Sequence, residues 1–112
     1  MNAPHLNRLM ALQAAVQSPD GMGGFTTLWQ TLGSHWVHLK AGAGRETAAG
    51  EQLLGQVAYR ITLRAAPPGD AARPKPGQRL VEGERCFLIR AVADLGPEAR
   101  YLICHCHEEE RQ

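Results

Sequence analysis

The stretch 57-VAYRITLR-64 decides how the rest of the chain is read. Val57, Tyr59, Ile61 and Leu63 alternate with Ala58, Arg60, Thr62 and Arg64. Apolar side chains recurring every second residue, rich in β-branched and aromatic types, are the pattern of a half-buried strand. One face therefore belongs to a core, and the other, with two arginines, is wet or meets another molecule.

Downstream, 65-AAPPGDAARPKPG-77 has four prolines and two glycines, so it is neither helix nor central strand but a long exposed loop with some polyproline character. The segment 78-QRLVEGERCFLIRAVADLG-96 then reads as a hairpin turning at Glu82 and Gly83. Phe87 and Ile89 face inward while Val92 arrives one residue out of step, which a β-bulge produces. A last strand, 99-ARYLICHCH-107, precedes a solvated tail from residue 108 to 112.

Upstream, 25-FTTLWQTLGSHWVHLKA-41 suggests two strands, Phe25 to Thr31 and His35 to Ala41, interrupted at Gly33. In the second, Val37 and Leu39 share one face and Trp36, His38 and Lys40 the other, a mixed face suited to another subunit. The glycines of 18-SPDGMGG-24 form a turn or loop; no Lys-Ser or Lys-Thr pair follows, so they are not a phosphate loop. Between these segments, 42-GAGRETAAGEQLLGQ-56 favours one or two helical turns, limited by Gly50 and Gly55. Arg45 and Glu46 either pair with a neighbouring subunit or begin that helix, where Glu46 suits the positive N-terminal end; both readings stay open. The opening 5-HLNRLMALQAAV-16 fits a helical and a two-residue period almost equally, with strand narrowly preferred.

The sum is one domain, mainly β: a small β-barrel or sandwich of six to seven short strands with one short helix and two long loops. At 112 residues a modest core is expected, and a barrel this small is filled by its own side chains. Twelve basic residues against eleven acidic ones do not point to general nucleic-acid binding. No apolar stretch approaches the roughly 18 residues that cross a bilayer, and the start lacks the pattern of a secretion signal. A cytoplasmic chain with reduced thiols is expected, since three cysteines do not suit a disulfide framework.

The residues 101-YLICHCHEEE-110 invite a metal reading. On a strand, however, Cys104 and Cys106 fall on one face and His105 and His107 on the other, so four ligands do not converge, and the common Cys-x2-Cys spacing is absent. Inward-packed cysteines are the simpler reading, and no metal or cofactor is expected. Nor does any spacing place a histidine against a cysteine nucleophile, so no catalytic set is assigned. Trp29, Trp36, Tyr59, Phe87 and Tyr101 raise the alternative of a small nucleic-acid-binding β-barrel, though no basic cluster accompanies them.

Taken in order, 20-DGMGGFTTLWQ-30, 35-HWVHLKAGAGRE-46 and the pairing of 59-YRITLR-64 with 79-RLVEGERCFLIRAV-92 resemble the head-tail joining family of long-tailed bacteriophages, also called head-completion or stopper proteins. The likeness runs from about Leu6 to Glu109 and makes the first segment a strand. The chain departs from the family pattern in its longer loop at 66-APPGDAARPKPG-77 and in 39-LKAGAG-44. The resemblance implies a non-enzymatic part of the neck of a virion or gene transfer agent particle, assembled in the bacterial cytoplasm. It implies a ring, commonly of six copies, between the portal adaptor and a tail terminator or tail tube protein. Such a ring retains packaged DNA, which passes through the lumen without sequence-specific binding, and no membrane is involved. Subunit or partner contacts are expected at Trp36, His38, Arg45, Glu46, Arg60, Pro67, Pro68, Arg73 and Lys75.

Overall fold

The computed structural model describes residues 4–42 and 57–109. Its elements are β1 (Arg8–Pro19), β2 (Phe25–Ala41), β3 (Val57–Arg64), β4 (Arg79–Glu82), β5 (Arg85–Leu95) and β6 (Tyr101–Glu109). All pairings are antiparallel, and the order β1-β2-β3-β6-β5-β4 closes on itself as a barrel. The mainly β expectation holds, with the barrel chosen over the sandwich. The short helix expected between Gly42 and Gln56 lies outside the described residues.

The interior is built by the alternation the sequence shows. Ile61 and Leu63 from β3, Phe87 and Ile89 from β5, and Leu102 and Cys104 from β6 meet Met10 and Leu12 from β1, Val37 from β2 and Leu80 from β4. Each is at most 1% exposed. Burying a side chain of this size stabilises by roughly 1.5–3 kcal/mol, so the filled interior is the main source of stability. Leu63 pairs across β6 with Leu102, and Leu12 across β4 with Leu80.

Gly33 does not break the chain into two strands; β2 is continuous for 17 residues. The β1–β2 register shifts there, from Leu12 opposite Gly33 to Gln13 opposite Thr31, leaving Leu32 as the extra residue. Gly33 has no side chain to fill its inward position, and Leu32 packs against the core. The expected bulge in β5 is present: the register with β6 shifts between Ile89 and Ala91, and Val92 packs partly buried against the core. The hairpin turn sits one residue later than the sequence suggests, at Gly83 and Glu84 between the pair Glu82 and Arg85. Gly83 has φ 59, the left-handed region that a II′ turn reserves for glycine at its first position.

Strand β6 runs through Glu109, two residues into the segment read as a tail. The proline-rich loop is exposed at Pro67, Pro68 and Lys75 but ordered by its own bonds. The Asp70 and Arg73 amides donate to the Pro67 and Asp70 carbonyls at 3.0 Å, and Pro74 is fully buried. At its end the Gly77 amide donates to Ile89 O (3.0 Å) and the Ile89 amide to Gln78 O (2.9 Å), which extends the β4–β5 ladder.

Truncating Phe87 to Ala should cost about 3–5 kcal/mol in urea unfolding, the range for a large buried aromatic. The same change at Leu28, which is 54% exposed, should stay within about 0.5 kcal/mol.

Candidate assembly surfaces

Three surfaces are built on this barrel. The first closes the end where β1 and β3 begin and β6 finishes. Arg8, Glu82, Arg85 and Glu108 each lie two positions beyond a buried inward residue (Met10, Leu80, Phe87 and Cys106), so they continue the core face to its rim. There they pair: Arg8 Nε donates to Glu82 Oε2 at 2.9 Å, and Arg85 grips Glu108 with Nε–Oε2 2.7 Å and Nη2–Oε1 3.0 Å. Arg85 also donates to the Tyr59 hydroxyl at 3.3 Å and lies over the Phe87 ring at 5.0 Å. Tyr59 and Phe87 meet edge to face at 5.3 Å. Hydrogen bonds from the guanidinium groups hold the Glu82 and Glu108 carboxyls below the usual range. These charges cancel in pairs, so this rim is a seal.

The second surface is the outer face of β2, β3 and β6. Register sets Lys40, Arg60 and His105 in one cross-strand row and His38, Thr62 and Ile103 in the next. The structure therefore gathers the expected contacts Trp36, His38 and Arg60 on one face. Arg64 stands over the Tyr101 ring at 5.9 Å on the same side. Pro67, Pro68, Arg73 and Lys75 lie apart from it, on the ordered loop. Arg73 donates to Ala66 O at 2.9 Å and faces Asp94 at 4.0 Å, holding the loop's neck. Arg45 and Glu46 fall outside the described residues.

The third surface was not apparent from sequence. β4 pairs with β1 only over Ala11–Gln13, and β3 with β2 only over Val37–Ala41. Past these points β1 and β2 run on as a two-stranded arm from Ala14–Pro19 to Phe25–Thr31. Its tip is tied by the Asp20 carboxylate, which accepts from the Met22 amide at 2.8 Å and the Gly24 amide at 3.0 Å. Those bonds hold the Asp20 carboxyl below the usual range. At the arm's root Arg79 lies over Trp29 at 4.1 Å and donates to Gln13 Oε1 at 2.8 Å. The signal was legible only as length: strand-like patterning in β1 and β2 outruns the strands beside them.

Other candidate chemistry is dispersed. Cys104 and Cys106 point inward, while Cys86 lies out of phase with inward Phe87, on the opposite face. Burial pushes the Cys104 thiol up to about 12 and raises Cys106 further. Among the described residues no three His, Cys, Asp or Glu side chains cluster as metal ligands. His107 is nearly buried beside Arg90, 3.4 Å away at Nδ1, and burial first, then that charge, lowers its pKa. Of the five aromatic residues raised as a stacking surface, Tyr59 and Phe87 face the core while Trp29, Trp36 and Tyr101 are outside, so they do not form one platform.

A family model described as phage head completion protein matches residues 1–110. A chain in the virion of a native gene transfer agent particle is 41% identical, with TM-score 0.79, over 96% of this chain and 98% of that one. The solution structure of protein SF1141 from Shigella flexneri 2a matches over 100% of both chains with TM-score 0.69 and 18% identity, a likeness of fold. No curated protein matches.

Because Glu82 and Glu108 titrate lower folded than unfolded, the stability they confer is complete above the ordinary value of 4.5 and is lost as pH falls through the folded values. A Glu108→Gln variant should lose roughly 0.5–1 kcal/mol near neutral pH and decline less steeply in acid, as measured by urea unfolding across pH. All three thiols should resist a disulfide reagent near pH 8 in the folded chain and react together once urea unfolds it.

Proposed function

The chain belongs to the phage head completion protein family, and from that membership we propose that it is a structural part of the neck of a virion or gene transfer agent particle. It works there as the stopper ring between portal adaptor and tail. Copies stand side by side around the channel, commonly six, retain packaged DNA without reading its sequence, and offer the tail terminator or tail tube a place to dock. It is a non-enzymatic assembly part.

The observation that carries this reading is the 41% identity, over almost all of both chains, with a component of a native gene transfer agent virion. The physics agrees with it. A barrel whose interior is filled by Phe87, Met10, Leu12 and their neighbours acts through its outside. One end is sealed by charge pairs, one outer face carries Trp36, His38 and Arg60, and an arm projects beyond the barrel, so separate surfaces exist for neighbours around and along an axis.

Removing the gene from a particle-producing host should leave full-sized heads without tails that lose DNA to nuclease, and restoring it should return tailed, nuclease-resistant particles. Tailed, DNA-filled particles from the deleted strain would overturn the reading.

A further inference from the structure

The arm from Ala14 to Thr31 poses a physical problem that the free chain does not solve. A two-stranded ribbon is marginal in water, and exposed strand edges recruit other strands unless charges or prolines blunt them. From Leu9 to Leu39 the only Lys, Arg, Asp or Glu is Asp20, and its carboxylate is engaged by the tip turn. Val16, Met22, Phe25, Leu28 and Trp36 on this hairpin are 40–83% exposed. The arm thus lacks the charges that keep natural edges apart, its one proline, Pro19, stands only at the tip end of β1, and it continues the barrel's inward face (Ala14, Val16, Leu28) into solvent.

We propose that the arm pairs edge to edge with the arm of a second copy of this chain, the β1 edge at Ala14–Ser18 of one against the β2 edge at Thr26–Thr31 of the next. This deepens the ring reading and rests on it.

Three observations favour a second copy as the occupant. The barrel is closed, so among the described residues the arm is a ribbon open along both its sides, while the unpaired edge at Ala91–Leu95 of β5 carries Asp94, which faces Arg73. Each edge finds its complement in the other, because β1 and β2 run in opposite directions and arms set side by side continue the antiparallel alternation. Repetition also brings like side chains within about two strand spacings, roughly 10 Å, where repeated charges repel; along its strands the arm has none. Because the two edges differ, the contact is head to tail, the kind that closes rings, and main-chain bonds add to burial of the arm's apolar side chains.

The test uses particles assembled with the full chain. One set contains a mixture of Gln17→Cys and Thr27→Cys copies, and control sets contain either variant alone; all are treated with a short thiol cross-linker. The native thiols are buried and stay silent. Gln17 and Thr27 are exposed and share one face of the arm, so neither substitution disturbs the core, and Thr31→Cys on the same face covers a shifted register. Covalent dimers are expected from the mixture and not from either variant alone. Dimers from Thr27→Cys alone would mean like edges meet and would overturn the head-to-tail pairing. No cross-link with either partner cysteine, while electron cryo-microscopy of the same particles shows several copies around the neck, would overturn the arm contact and leave the ring intact. A single copy in the neck would overturn both.

Discussion

The fold depends on a short closure. Ala11, Leu12 and Gln13 of β1 meet Val81, Leu80 and Arg79 of β4, and these three pairs turn a six-stranded sheet into a barrel. Without them β1 and β4 would be long open edges over an exposed core, which proteins avoid because edges aggregate. With them Leu12, Leu80 and Phe87 lie in register across three neighbouring strands, and the interior fills. Arg79 reinforces the seam from outside by bonding Gln13 and covering Trp29.

Closure also divides the molecule into parts with different work. The packed interior provides stability and leaves the chain's contacts with other molecules to its surfaces. The paired charges at the rim finish the core where it would otherwise meet water: Arg85 covers Phe87 and Tyr59 while its charge is matched by Glu108. The cysteines fit this division, since burial raises two of their thiols far above neutral pH and makes them small apolar fillers.

Membership of the head completion family gives these surfaces their meaning. A head completion protein is a component of a virion, and a small closed barrel offers the proteins around it unlike faces. The outer face with Trp36, His38 and Arg60, the sealed rim and the arm, whose strands carry no charge, differ in chemistry as well as position. Trp36 belongs both to that outer face and to the hairpin that becomes the arm, so the two surfaces are continuous on β2.

Much of this was determined by sequence alone. Alternation is a local property, so VAYRITLR, the inward cysteines and the slip after Ile89 revealed strands, core faces and a bulge without knowledge of neighbours. Even the rim charges follow the phase of the core residues, although nothing in the sequence says that Arg8 meets Glu82 across 74 positions. Gly33 misled because a glycine that ends a strand and one that permits a bulge look alike until the register of the partner is known. Likewise the proline-rich loop read only as long and exposed because the bond from Arg73 to Ala66 and the burial of Pro74 depend on what packs behind them. The arm, above all, was decided by tertiary structure. Whether a strand residue is paired on one side or two depends on where its neighbours stop, and that is a relation between distant segments, carried by hydrogen bonds that no single stretch of sequence contains.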